Sequence, residues 1–169
     1  MATYKSHVPR LSLTRQFGGA LLKNSNAKSA RPISTKHAMH VVLCSSQAVG
    51  DLSFRNSRNW KRITEILVQQ AQKYRVELHE QLNGGDQLQI LIKVKSRDSF
   101  NGFIRAISGM ISMAVTGAAK TRALKTKFWS YRPWSRVVRL VRGYRIQVDE
   151  VVQQYVFELR TAKPRRAPA

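Results

Sequence analysis

The chain has 169 residues, of which 30 are Lys or Arg and nine are Asp or Glu, giving a formal net charge of +21. Its apolar share of 43% matches an ordinary soluble domain, so one hydrophobic core is expected and disorder throughout is excluded. The single cysteine, Cys44, excludes an intramolecular disulfide and a cysteine-based zinc cluster, and fits a reducing compartment.

Charge of this sign and size predicts a polyanionic partner. Nucleic acid comes first and an anionic membrane surface second, because a basic field attracts phosphates and binding releases their counterions. No apolar run approaches the roughly 20 residues that cross a bilayer, and the N-terminus lacks the apolar core of a secretory signal, so no membrane partner is expected. The acid-free first 36 residues also fit a mitochondrial transit peptide, which is the lesser alternative.

The basicity falls in zones. Residues 1–50 hold seven Lys or Arg and no acid, residues 51–119 ten against six, and residues 120–169 thirteen against three. Residues 1–36, with Pro9, Gly18-Gly19 and Pro32, read as a basic N-terminal arm; residues 161–169, with Lys163-Pro164-Arg165-Arg166, read as a basic C-terminal tail. Residues 37–160 are the expected domain between them.

Within that domain the hydrophobic period changes in an orderly way. His40 to Cys44 suits a buried strand, and Trp60, Ile63, Ile66, Leu67, Ala71 and Tyr74 recur at helical spacing behind Ser57 as N-cap. Val76, Leu78 and Leu82, then Leu88, Ile90, Ile92 and Val94, alternate on either side of Asn83-Gly84-Gly85, which predicts a hairpin. A three-residue loop at 83–85 sets Val76 opposite Ile92, His79 opposite Gln89 and Gln81 opposite Gln87, gathering four polar side chains on one face. A second helix follows Asp98 or Ser99, with Phe103, Ile104, Ile107, Ile111, Ala114 and Val115 on one stripe and an end near Gly117. Phe128 to Leu140 reads as a strand or ribbon broken at Pro133. Val148, Val151, Val152, Tyr155, Val156 and Leu159 form the stripe of a last helix.

In order this is an α+β chain, a ferredoxin-like βαββαβ antiparallel sheet with an added C-terminal helix. Two helices should cover one face of the sheet and leave the other, with its polar quartet, open for function. The ribbon and the residues flanking it mix Arg132, Arg136, Arg139, Arg142, Arg145, Lys125 and Lys127 with Phe128, Trp129, Tyr131, Trp134 and Tyr144, a combination that pairs phosphates and stacks unpaired bases. Trp129 or Trp134 is expected in the core. His37 and His40 lie three apart at a strand entrance and make a weak metal pair.

The element order, the hairpin strand beginning Asp86-Gln87-Leu88-Gln89-Ile90-Leu91, and a late helix with Tyr155-Val156 resemble the HUH-type tyrosine transposases, especially the REP-associated branch. Arg31-Pro32-Ile33-Ser34-Thr35-Lys36-His37 and Phe128-Trp129-Ser130-Tyr131-Arg132-Pro133 share the likeness, which spans roughly residues 32–160 by element order. The resemblance implies a transposase-like fold in which a His-hydrophobic-His pair on that strand holds Mg²⁺ or Mn²⁺ and a helix tyrosine cuts single-stranded DNA. Here both histidine positions are glutamines, Gln87 and Gln89, poor ligands for a hard divalent ion, with His79 as the nearest nitrogen; Tyr155 falls on the nucleophile's place. Three functions are expected on these grounds. The first is a transposase-like binder of single-stranded or stem-loop DNA with a degenerate catalytic site. The second is an active nickase using Tyr155 and an altered metal site, and the third an RNA-binding or ribosome-associated protein. DNA is favoured over RNA, as a monomer or homodimer, in a bacterial-type cytoplasm near the nucleoid.

Overall fold

The computed structural model describes residues 30–119, Arg122, residues 126–130 and 132–138, and the backbone of a two-residue strand at 17–18. In chain order the elements are β1 (Phe17–Gly18), β2 (Ala38–Cys44), a 3-10 turn (Gly50–Leu52), α1 (Ser57–Lys73), β3 (Glu77–Asn83), β4 (Gln87–Lys93), α2 (Arg97–Thr116) and β5 (Trp134–Val138). The expected last helix, with Tyr155, lies outside the described residues.

The sheet runs β1-β5-β2-β4-β3, and every neighbouring pair is antiparallel. The four longer strands therefore take the order expected of a βαββαβ chain, with β2 and β4 at the centre. Both central strands are buried on both faces, apolar toward the helices and mixed on the other side, where His40, Gln87 and Gln89 lie. Met39, Val41 and Leu43 of β2 and Leu88, Ile90 and Ile92 of β4 face the helices. They meet Ile63, Leu67 and Ala71 of α1 and Phe100, Phe103, Ile107 and Ile111 of α2. Each of these large side chains contributes roughly 1.5–3 kcal/mol on leaving water, which is why the helical stripes set this layer.

Both helices are capped one to three residues before where the sequence suggests. Asn56, not Ser57, caps α1 by accepting from Arg58 N–H, and Ser96, not Asp98 or Ser99, caps α2 by accepting from Ser99 N–H. In each case two or three polar residues compete for the cap, and the one with non-helical backbone just before the first turn wins. The end of α2 falls where expected: Gly117 is left-handed (φ 67) and donates to Met113 O.

The hairpin register differs from the expected one. Gly84 N–H donates to Gln87 O, so Gly85 and Asp86 make a tight turn, with Gly85 at φ 98 and its N–H held by Asn83 Oδ1. That places Leu82 opposite Gln89, Gln81 opposite Ile90 and Glu80 opposite Leu91; a bulge at His79 then restores Leu78, rather than Val76, opposite Ile92. Gln81 consequently lies on the helix side, where its buried Oε1 has no hydrogen-bond partner among the described residues, and His79 is exposed. The bulge adds one residue to one strand, a parity change that alternation alone does not show.

Candidate nucleic-acid interface on the sheet

The face of the sheet away from the helices carries His40, Val42 and Cys44 from β2, Gln87, Gln89 and Leu91 from β4, Glu80 and Leu82 from β3, and Trp134 and Arg136 from β5. All are fixed there by pairing: His40 with Leu91 and Arg136, Val42 with Gln89 and Trp134, Cys44 with Gln87. Gln87 and Gln89 thus share one face, as two residues apart on a strand requires. The expected quartet does not form, because Gln81 turns to the core and His79 bulges out; Glu80, opposite Leu91, stands on this face instead. Nor is the centre of the face open to solvent: His40 is 2% exposed and Gln89 5%.

His40 is the residue that sequence reasoning undervalued. It is separated from His37, which is exposed ahead of β2 and whose N–H donates to Ser34 Oγ. Its Nε2 lies 3.3 Å from Gln89 Oε1, its ring meets Trp134 edge-on at 5.8 Å, and its buried Nδ1 has no partner among the described residues. Burial, and then the charge of Arg136, push its pKa down to about 4 against a hydrogen bond from Gln89 that works the other way. The imidazole is neutral at pH 7, and Nε2–H donating to Gln89 Oε1 is the arrangement consistent with that. Strand parity alone sets His40 on the face opposite Met39, Val41 and Leu43; the pairing of β2 with β4 is what brings it to Gln89.

Gln87 occupies the turn end of the same face. Its side chain lies against Gly84 Cα, where a Cβ would collide with Gln87 Cγ, so it folds back over the turn. Cys44, beside it, has its thiol pushed up to about 12, by burial first and by the neighbouring Asp86 carboxylate second.

These groups do not fit a divalent cation. Among the described residues no three His, Cys, Asp or Glu side chains gather closely enough to hold one. What does gather is two neutral amides and one imidazole, under a positive field from Arg136 strong enough to shift His40. His79, expected beside Gln89, is outside the group altogether.

The basic ribbon divides. Phe128 is buried in the helix-side core, and Trp129 packs against that core and donates its Nε1–H to Ser108 O at 2.8 Å. The expectation that Trp129 or Trp134 is core holds for both, Trp134 being buried on the opposite face against His40, whereas Phe128, expected among the base-stacking aromatics, is corrected to the core. The ribbon is pinned to the end of β2: Ser45 Oγ donates to Phe128 O, Ser130 N–H to Cys44 O and Gln47 Nε2 to Lys127 O. Arg132 and Lys127 are exposed, while Arg136 sits on β5 opposite His40. Lys125, Tyr131, Arg139, Arg142, Arg145 and Tyr155 lie outside the described residues. Arg31, which no sequence signal separates from its basic neighbours, reaches from the segment before β2 to β5: its guanidinium donates to Ser135 Oγ and Pro133 O, both at 2.6 Å, and stands 5.6 Å from the Phe100 ring centre. Burial, with Arg132 adding to it, lowers its pKa.

The order of four antiparallel strands with two helices on one face defines a transposase-like α+β fold. A REP-associated tyrosine transposase solved bound to a REP hairpin is similar in structure, with a TM-score of 0.56 over 83% of this chain and 78% of that one at 13% sequence identity. A provisionally assigned transposase from Deinococcus radiodurans aligns over 79% of this chain and 97% of its own, with a TM-score of 0.46 and 14% identity. No protein-family model and no curated protein matches the sequence. No helix among the described residues is long and apolar enough to cross a membrane.

Proposed function

We propose that this chain is a transposase-like protein that binds single-stranded or stem-loop DNA without cutting it. The observation that carries the reading is the fold's likeness, over 83% of the chain, to a transposase solved with a REP hairpin. The net charge of +21 supports a phosphate-rich partner. The absence of cleavage is argued from the sheet: the two strand positions that would hold a metal are Gln87 and Gln89, engaged with the Gly84 turn and His40 and overlooked by Arg136. Without a metal to polarise the phosphate and activate it, a tyrosine hydroxyl is a weak nucleophile at pH 7.

The test is one labelled DNA hairpin with single-stranded flanks, incubated with protein in Mg²⁺ or Mn²⁺ and run on native and denaturing gels in parallel. A native shift that weakens steeply with salt, with no covalent adduct after denaturation, is expected. A metal-dependent adduct that disappears in Tyr155→Phe would establish an active nickase instead. Preferential binding of the matched RNA hairpin would move the assignment to RNA.

A further inference from the structure

We infer that the end of the fold formed by the first turns of α1 and the β3–β4 turn is a second surface for the DNA backbone, carried by Arg55, Arg58, Lys61 and Arg62 and separate from the sheet face of Gln87 and Gln89. It rests on the proposed nucleic-acid binding and adds a docking place to it.

These four cations occupy a stretch with no acid between Asp51 and Glu65. All four are exposed, and among the described residues no group bonds to or pairs with their side chains. Arg58, Lys61 and Arg62 are three and four apart and share one helix face, about 5–6 Å between neighbouring Cβ atoms. Arg55 Cδ lies against Gly85, 3.5 Å from where a Cβ would stand, which carries its side chain onto the β3–β4 turn. The junction is firm: Phe54 N–H donates to Gly85 O at 2.8 Å and Asn83 Nδ2 to Phe54 O at 2.7 Å. Ser45 N–H donates to Asp86 O of the same turn, and Ser45 Oγ holds the ribbon next to exposed Lys127.

Folding does not ask for this arrangement. The start of a helix carries partial positive charge and favours acids, and like charges three or four residues apart repel. α2, in the same layer, opens on Arg97 but balances it with Asp98 in the same turn; α1 has no acid in its first turn and carries Arg58 there. The cluster therefore works against the free protein, and a bound polyanion removes that conflict by neutralising the side chains while its oxygens accept the helix's unpaired N–H groups. A merely solvated face would distribute the cations with the acids, as α2 does.

Two variants of the full chain decide it, each lowering the net charge by three at exposed positions: Arg58→Gln/Lys61→Gln/Arg62→Gln, and the control Lys95→Gln/Arg97→Gln/Arg105→Gln. Binding of the DNA hairpin is measured from about 50 to 200 mM salt, where each phosphate contact contributes close to one to the log–log slope. The α1 variant should flatten the slope by two to three and weaken binding at least tenfold at low salt; the control should change the slope by less than one. Thermal melting of the α1 variant should equal or exceed the parent's, since repulsion at the helix start is relieved. Were it to melt lower, single Arg58→Gln and Arg62→Gln variants would each carry a slope change of about one. Equal losses in the two triple variants would overturn the inference and leave the nucleic-acid reading standing, whereas a parent that does not shift the hairpin would remove both.

Discussion

Acidification should cost this fold about 3 kcal/mol through one side chain, His40. An ordinary histidine titrates near 6.5, but His40 is held down to about 4 by its burial between β4 and β5 and by the Arg136 charge. Above pH 6.5 the imidazole is neutral in the folded and the unfolded chain, and the group contributes no pH dependence. Below pH 6.5 the unfolded chain takes up a proton that the fold refuses, so stability falls as the pH drops through the window from 6.5 to about 4 and stops falling below it. Each pH unit of that window is worth about 1.4 kcal/mol, which makes the full loss about 3 kcal/mol, a large part of the roughly 5–15 kcal/mol of a typical domain. The assay is urea unfolding monitored by tryptophan fluorescence at pH 7, 6, 5 and 4.5, for the parent and for His40→Gln, whose amide can still donate to Gln89 but does not titrate. The nine carboxylates add their own acid limb to both proteins, so the difference between the curves isolates the imidazole. Parallel curves would refute the assignment of a buried neutral imidazole at this position.

Two further predictions test the packing. Gly109→Ala and Gly102→Ala are the same change on the same helix, but a Cβ at Gly109 meets nothing within 4 Å while one at Gly102 stands 2.5 Å from Tyr74 Cε1 and 2.7 Å from Cδ1. Gly109→Ala should therefore stabilise by about 0.5–1 kcal/mol and raise the melting temperature by a few degrees. Gly102→Ala should lose that gain to an overpacking cost of about 1–3 kcal/mol, and equal rises in the two variants would show that α1 and α2 do not approach as described. Cys44, half-buried and with its thiol pushed up to about 12, should react slowly with a thiol-disulfide reagent at pH 8 in the native protein and at once in guanidinium; equally prompt labelling of the native chain would contradict the raised thiol.

The helices were legible because a 3.6-residue apolar stripe has one solution: Ile63, Ile66, Leu67 and Ala71 all face the sheet, as do Phe103, Ile107 and Ile111. The strand order came from the element order. The hairpin register was not legible, since it depends on a turn settled by Asn83 and Gly85 and a bulge at His79, and a single inserted residue reverses every later side chain. The sheet face was half legible. Gln87 and Gln89 share it as their spacing requires, but their neighbours come from β2 and β5, about fifty residues away on either side, and composition cannot say which they are. The fate of Phe128 was hidden for a similar reason, because the contact from Ser45 helps turn an aromatic that looks built for bases into part of the core.

Two buried amides and an imidazole at the middle of a sheet carry a desolvation cost unless they find partners. Gln89 and His40 meet part of it in each other, and neutrality at His40 is what lets Arg136 stand in the same row without a buried cation pair. Histidines at 87 and 89 would instead set three imidazoles and a guanidinium on one enclosed face, an arrangement of donors and potential cations that a metal ion would be needed to organise. The pair meets that cost at His40 Nε2 and Gln89 Oε1 without an ion, and on the proposed function the fold is a scaffold whose exposed cations, among them those at the start of α1, would take up phosphates.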